Sequence, residues 1–322
     1  MSVASVYTLH SVQRTGIASL VDQIERQSID SGLTDYLGGG SSSINKQFAA
    51  LMTAAPILSF TTTRLATALE LSGLTGVLAT STNTLIMWFK KRLAGGQYNI
   101  GGVHRKTTVS NGLLIPKRLT ARHGEIAMLD FELHAISDGA INPIVTAVAT
   151  LPAAGVGSEF FTVGPIKLDG VTFESVIEVS IDFGIELDKV GANGEINPTF
   201  LAIKAMNPVI TCTIHDLSHA TDNGGTPALP VAGTAALFGS QGGIASGAGL
   251  TVFLRKKSAD GTGNLLNATA EHIAITAADL RYVWETMEAA DQDDATLRLK
   301  FTPIDSSGSG ATMVVATESA IT

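Results

Sequence analysis

The sequence of 322 residues contains a single cysteine, Cys212. One thiol excludes an intrachain disulfide framework and any zinc site built from thiolates alone. Charge is scarce too: Asp, Glu, Lys and Arg make up 16% of residues, against 45% hydrophobic, and the mean hydropathy is +0.27. That balance excludes the composition of a disordered chain. It also implies that neighbouring copies cover part of the apolar surface, because a monomer of this size usually carries more charge. Aromatic residues are only 6%, and both tryptophans, Trp88 and Trp284, sit in apolar contexts, which argues against an exposed sugar-binding platform. No apolar run reaches the roughly 18 residues of a membrane-crossing helix. The nearest, Phe48 to Phe60, is broken by Pro56. The N-terminus lacks the charged and apolar regions of a signal peptide. Together these absences predict a soluble chain, made in a cytoplasm, with no membrane span.

Catalytic signatures are missing as well. The sequence has no phosphate-binding G-x-x-x-x-G-K-[ST] loop, no H-E-x-x-H, no G-x-S-x-G and no C-x-x-C. No catalytic, cofactor-binding or metal-binding residue is assigned, no cofactor is expected, and the chain reads as a non-enzyme. His215 and His219 stand four apart, with Asp216 and Asp222 nearby, but a strand-like stretch precedes them, so they read as loop histidines. Asp291-Gln292-Asp293-Asp294 lacks calcium-loop spacing and reads as a solvated turn. Gly38-Gly39-Gly40 and Gly308-Ser309-Gly310 read as flexible loops.

What the sequence does contain is an internal duplication. Shifted by 152, Ser28-Ile29-Asp30-Ser31-Gly32 meets Ser180-Ile181-Asp182-Phe183-Gly184. In the same register Ile44-Asn45 meets Ile196-Asn197, Phe48 meets Phe200, and Pro56 meets Pro208. A second register, shifted by 168, pairs His104 with His272, Leu129 with Leu297 and Ile136 with Ile304. The change of register places an insertion near 220–249, a Gly-, Ala-, Thr- and Pro-rich stretch that reads as a long loop. The equivalent histidines imply a shared structural role. The basic clusters Lys90-Lys91-Arg92 and Arg255-Lys256-Lys257 are also equivalent and read as strand ends. The two modules span 1–155 and 156–322, joined by a linker near 151–157, with net charges of +3 and −11.

Period-two alternation predicts strands over Phe173–Phe183, Thr296–Phe301 and Met128–Leu133, and apolar strand formers do so over Leu85–Phe89 and Leu250–Leu254. Arg64–Ser72 suits a short helix, and Ala270–Ala289 a helical turn after Thr276. The stretches after Asn45 and Asn197 fit helix or strand, Pro198 suiting a helix start. The expected fold is mainly β: two tandem related β-barrel or sandwich modules, each with a short helix.

His104, then Gly112-Leu113-Leu114-Ile115-Pro116, Ala127–Leu133, Ser137-Asp138-Gly139 and Asn142-Pro143 resemble the progression found in tail tube proteins of long-tailed bacteriophages. Phe173–Glu186 and Gly194–Phe200 resemble the same family's strand, long loop, strand unit. The resemblance implies a structural virion protein, assembled in the host cytoplasm, whose stacked rings form the conduit for genome ejection. Its partners would be itself, the tape measure, tail terminator and baseplate or tip proteins, with DNA passing through the lumen without specific binding. Most such proteins carry one module and form hexameric rings, so two modules imply a trimer with pseudo-sixfold symmetry. Ring stacking would use Thr34–Ser43, Asp188–Glu195, the N-terminal arm Met1–Thr15 and the C-terminal tail Ser306–Thr322. The charge split would set basic against acidic faces at every junction, and acidic lumen residues would repel phosphates. Open alternatives are a capsid decoration or other virion or injection-tube component, and a carbohydrate-binding β-module adhesin.

Overall fold

Alternating apolar and polar residues become strands through most of the chain. The structure is a computed structural model that describes residues 5–14, 20–21, 23–39, 46–72, 76–77, 84–93, 103–137, 142–153, 159–168, 171–173, 175–191, 193–215, 217, 243–245, 249–258, 263–290, 294–305 and 312–322. The first half contains β1 (Val6–Arg14), β2 (Leu20–Val21), β3 (Ile24–Asp30), β4 (Leu33–Gly39), β5 (Lys46–Ala54) and β6 (Ile57–Thr62). Helix α1 (Leu65–Ser72) follows, then β7 (Gly76–Val77), β8 (Leu85–Arg92), β9 (His104–Val109), β10 (Gly112–Arg122), β11 (Met128–Ala135) and β12 (Ile144–Ala149). The second half contains β13 (Phe161–Leu168), β14 (Val171–Phe173), β15 (Val176–Asp182), β16 (Ile185–Val190), β17 (Phe200–Met206) and β18 (Val209–Ile214). It ends with β19 (Gly243–Ala245), β20 (Leu250–Lys256), β21 (His272–Ala277), β22 (Asp279–Glu288), β23 (Thr296–Ile304) and β24 (Val314–Ser319).

The chain is therefore mainly β, with several antiparallel sheets and one short helix among the described residues; no closed barrel is present there. The pairings recur between halves. The series β1–β8–β9–β12 is matched by β13–β20–β21–β24. The series β10–β11–β6–β3 is matched by β22–β23–β18–β15, and the hairpin β4–β5 by β16–β17.

Even the irregularities repeat. Ladders slip between Ile24 and Arg26 and between Val176 and Glu178, the same positions in the 152-residue register. They slip between Pro116 and Arg118 and between Trp284 and Thr286, the same positions in the 168-residue register. An extra residue that bends a strand persists only where the surrounding ladder requires it. The shared Asp-x-Gly has an equally specific cause. Gly32 and Gly184 both adopt φ +55°, and their amides donate to Asp30 and Asp182 Oδ1 at 3.0 and 2.9 Å. A Cβ would lie 2.4 Å from the Ala55 carbonyl oxygen in the first turn and 2.0 Å from that of Asn207 in the second.

The halves share one hydrophobic core. Leu58, Phe60, Leu129 and Phe131 from the first half belong to the same buried cluster as Val179, Ile181, Leu299 and Phe301 from the second. Continuity comes from β10 pairing with β15, which fuses the two matched series into a nine-stranded sheet ordered β19-β22-β23-β18-β15-β10-β11-β6-β3. A smaller link joins β24 to β7 through Val314–Val77 and Val315–Gly76. At the helix, Glu159 from the stretch joining the halves accepts from the Thr67 amide at 3.3 Å and hydroxyl at 2.8 Å. A carboxylate there satisfies a first-turn donor and complements the helix dipole.

Several expectations need correction. The helical turn after Thr276 is absent: Ala277 ends β21, and β22 pairs with β23 from Asp279 to Glu288, so ladder hydrogen bonds override an alanine-rich composition. Phe173–Phe183 is two strands, β14 and β15, each with its own partner. The segments after Asn45 and Asn197 are strands, and Pro198 lies outside β17. Gly38 and Gly39 lie in β4, paired with Phe48 and Lys46, rather than in a loop. Met1–Thr15 and Ser306–Thr322 are not free arms where described, because β1 and β24 are sheet strands. Within 220–249, β19 pairs with β22. The short helix expected in the second half is not among the described residues, and Gly40, Gly308–Gly310 and most of that insertion lie outside them.

The glycine turns yield a direct test. Gly184→Ala should destabilise the protein by about 2 kcal/mol or more, since a side chain at positive φ is strained and meets a backbone oxygen. Urea unfolding of the purified variant checks it, and an unchanged midpoint would refute the turn's role.

Candidate functional site

Conventional sites come first. Cys212 is buried, and burial pushes its thiol pKa up, the opposite of a reactive cysteine. Among the described residues no group of three His, Cys, Asp or Glu could hold a metal ion. His215 is exposed just after β18; His219 lies outside the described residues, as do Asp216, Asp222 and Asp291–Asp293. A cavity of about 690 Å³ is lined in part by His123, Arg255 and Lys257, with no carboxylate side chain among the described residues that line it. Among the described residues no helix is long and apolar enough to cross a membrane.

His104 and His272 hold equivalent structural posts. Each is buried, and each accepts a backbone hydrogen bond at Nδ1, from the Lys91 amide at 3.1 Å and the Lys256 amide at 3.0 Å. His272 Nε2 can then donate to the Leu266 carbonyl at 3.0 Å. Both amides belong to the equivalent basic clusters, which lie at the ends of β8 and β20.

The feature that stands apart is the nine-stranded sheet. Its joint is β10–β15, where Leu119 faces Ile181 and Ala121 faces Val179, all four buried. On the opposite face Arg118 pairs across to Asp182, and Arg122 donates to Glu178 at 2.8 Å. An exposed ion pair of this kind adds little to stability, so it bears on register more than on stability. The counterpart of β15 is β3, which forms one end of the sheet. The counterpart of β10 is β22, whose residues beyond the short contact with β19 have β23 on one side and no strand on the other among the described residues.

Among the described residues the chain thus carries both halves of the joint it makes internally, β3 with one side open and β22 open beyond its contact with β19. In the repeat registers Ile29 corresponds to Ile181 and Met287 to Leu119. Ile29 is 40% exposed and Met287 50%, where their counterparts are fully buried. Open edges expose backbone donors and acceptors and are templates for pairing with another chain. Completing the burial of two such side chains contributes on the order of 1–2 kcal/mol each.

No protein-family model matches the chain, and no curated protein matches it.

The polar face of the sheet carries charges of both signs. Its carboxylates are interleaved with cations: Glu178 with Arg122, Glu132 with Lys117 at 3.6 Å, Glu285 with Arg298 at 2.9 Å. The His134 hydrogen bond, with Lys117 nearby, holds Glu132 below the usual carboxylate range. Threonine hydroxyls fill intervening positions, Thr61 donating to Asp130. The face is therefore charge-balanced rather than acidic. Nor does the basic-against-acidic joint recur at the open edges, since Arg118 and Arg122 have Thr286 and Ala290 as counterparts. Composition could not separate these cases, because pairing depends on which side chains share a face.

His104 supports a pH prediction. Burial, with Lys90 adding repulsion, lowers its pKa from the ordinary imidazole value of about 6.5. The unfolded chain therefore takes up the proton first as pH falls. This contribution to stability is complete above about pH 6.5 and is lost as pH drops through the folded-state value. Urea midpoints measured between pH 7.5 and 5 should fall more for wild type than for His104→Asn.

Proposed function

We propose that the chain is a non-enzymatic structural protein whose copies join edge to edge into rings, and that stacked rings form the tail tube of a long-tailed bacteriophage. One observation carries this reading: the joint β10–β15 exists once inside the chain, and among the described residues its two counterparts have no partner strand, β3 at one end of the same sheet and β22, beyond its short contact with β19, near the other. A heterologous head-to-tail joint generates a ring when the rotation closes. With two tandem modules per copy, each a β-barrel or sandwich unit completed by its neighbours, three copies make a ring of six pseudo-equivalent modules.

In this arrangement the nine-stranded sheets of successive copies run into one another. The core-facing side stays buried, and the polar side becomes the wall of the conduit. A wall of hydroxyls and paired charges presents little net field to phosphate, so DNA slides without being held. The described part of Thr34–Ser43 exposes Tyr36 and Leu37, suited to contact between rings.

The register of the joint between copies follows from the internal one. Arg118–Asp182 and Leu119–Ile181 translate into Thr286–Asp30 and Met287–Ile29. Directly opposed residues have Cβ atoms close enough for a disulfide. The variant Ile29→Cys with Met287→Cys should give covalent trimers on a non-reducing gel after oxidation, with Cys212 staying buried. Electron microscopy of the wild type should show rings of six similar lobes or stacked tubes with a central channel. Monomers at high concentration, together with no cross-link, would overturn the proposal.

A further inference from the structure

The two hairpins are counterparts in register but not in surroundings. Leu33 and Ile185 open β4 and β16, and both ladders slip at the same place, after Thr34 and Glu186. Yet Ile185 is 7% exposed and Leu33 55%. Ile203 packs against the core, while its counterpart Leu51 is exposed.

The difference has a visible cause. The second hairpin lies across the first half of its own chain. The Ala54 amide donates to the Ile196 carbonyl at 2.8 Å, the Ser137 amide donates to the Pro198 carbonyl at 3.0 Å, and β16 runs beside β10. It arrives there because β15 pairs with β10 and the chain then turns at Gly184. The first hairpin leaves β3 through the same turn at Gly32, with the same φ. Its β3 has no strand on the corresponding side among the described residues, and apart from the Ala54 bond at its base the first hairpin has no comparable seat there. A two-stranded hairpin alone is marginal in water, and this one also exposes Met52, where the seated hairpin carries Lys204.

We propose that the β4–β5 hairpin of one copy seats on the second half of the next copy, beside its β22, as β16–β17 seats beside β10 within the chain. Leu33 and Leu51 are the side chains that the seat buries. The proposal rests on the ring reading, because pairing β3 with a neighbour's β22 is what carries the hairpin over that neighbour. It assigns the hairpin to the contact within a ring, in addition to any contact between rings.

The test uses full-length protein. Leu33→Asp combined with Leu51→Asp should leave the monomer's urea midpoint unchanged, since both side chains face solvent there, and lower the assembled fraction at least tenfold by mass photometry. Leu266→Asp, at a more exposed apolar position, should assemble as wild type does. Hydrogen exchange on the wild type gives an independent reading should the double variant misfold. Amides of β4–β5 should exchange at least tenfold more slowly in assembled rings than in dilute monomer, while β16–β17 is protected in both. Rings whose β4–β5 amides exchange as in the monomer, or a double variant that assembles normally, would overturn the seat and leave the ring reading standing. Failure of the wild type to assemble, together with no disulfide between copies in the Ile29→Cys, Met287→Cys variant, would overturn both.

Discussion

A β-strand carries hydrogen-bonding groups on both sides, so every open sheet ends in two unsatisfied edges. Here the first half's edge at β10 is satisfied by the second half's edge at β15. Most of the architecture depends on that one pairing. It merges two series of strands into a single nine-stranded sheet and lets one core run through both halves. It carries the second hairpin onto the first half. It also displaces the edge problem instead of ending it, because the same two edges reappear as β3 and β22.

The duplicated halves have kept their backbone devices and let their surfaces diverge. Matching bulges, the two Asp-x-Gly turns and the buried histidines are all retained, because each satisfies a specific backbone requirement. Surface charges at matched positions are not. Arg26 corresponds to Glu178, and Asp130 to Arg298. The divergence discriminates between pairings. Were β10 to pair with another copy's β3 in the internal register, Arg122 would face Arg26 instead of Glu178. Like charges directly opposite each other disfavour that pairing.

Legibility in the sequence followed the range of the interaction. Strands such as Thr296–Phe301 and Met128–Leu133 were readable because alternation is local, and α1 because a short helix declares itself within two turns. Phe173–Phe183 was misread as one strand because the chain changes partner partway, which alternation does not record. The segment after Thr276 was misread because alanine-rich composition favours helix while the following strand, β23, supplies a ladder. The candidate site was half legible. Repeat registers located Ile29 and Met287 as counterparts of Ile181 and Leu119, but nothing in the sequence said which pair was buried and which open.

The sequence by itself determined the β class, the duplication and the equivalence of positions, because alternation and repetition are properties of order along the chain. It determined that Gly32 and Gly184 serve the same turn, since one backbone geometry selects glycine in both places. Only the tertiary structure decided that the halves join through β10 and β15, that the acidic residues of the polar face are matched by cations, and that one hairpin is seated while its twin is not. Those outcomes depend on which strands lie side by side. The joint between the halves is set by pairing between residues about 60 positions apart in sequence, as Arg118 and Asp182 are, which no local pattern encodes.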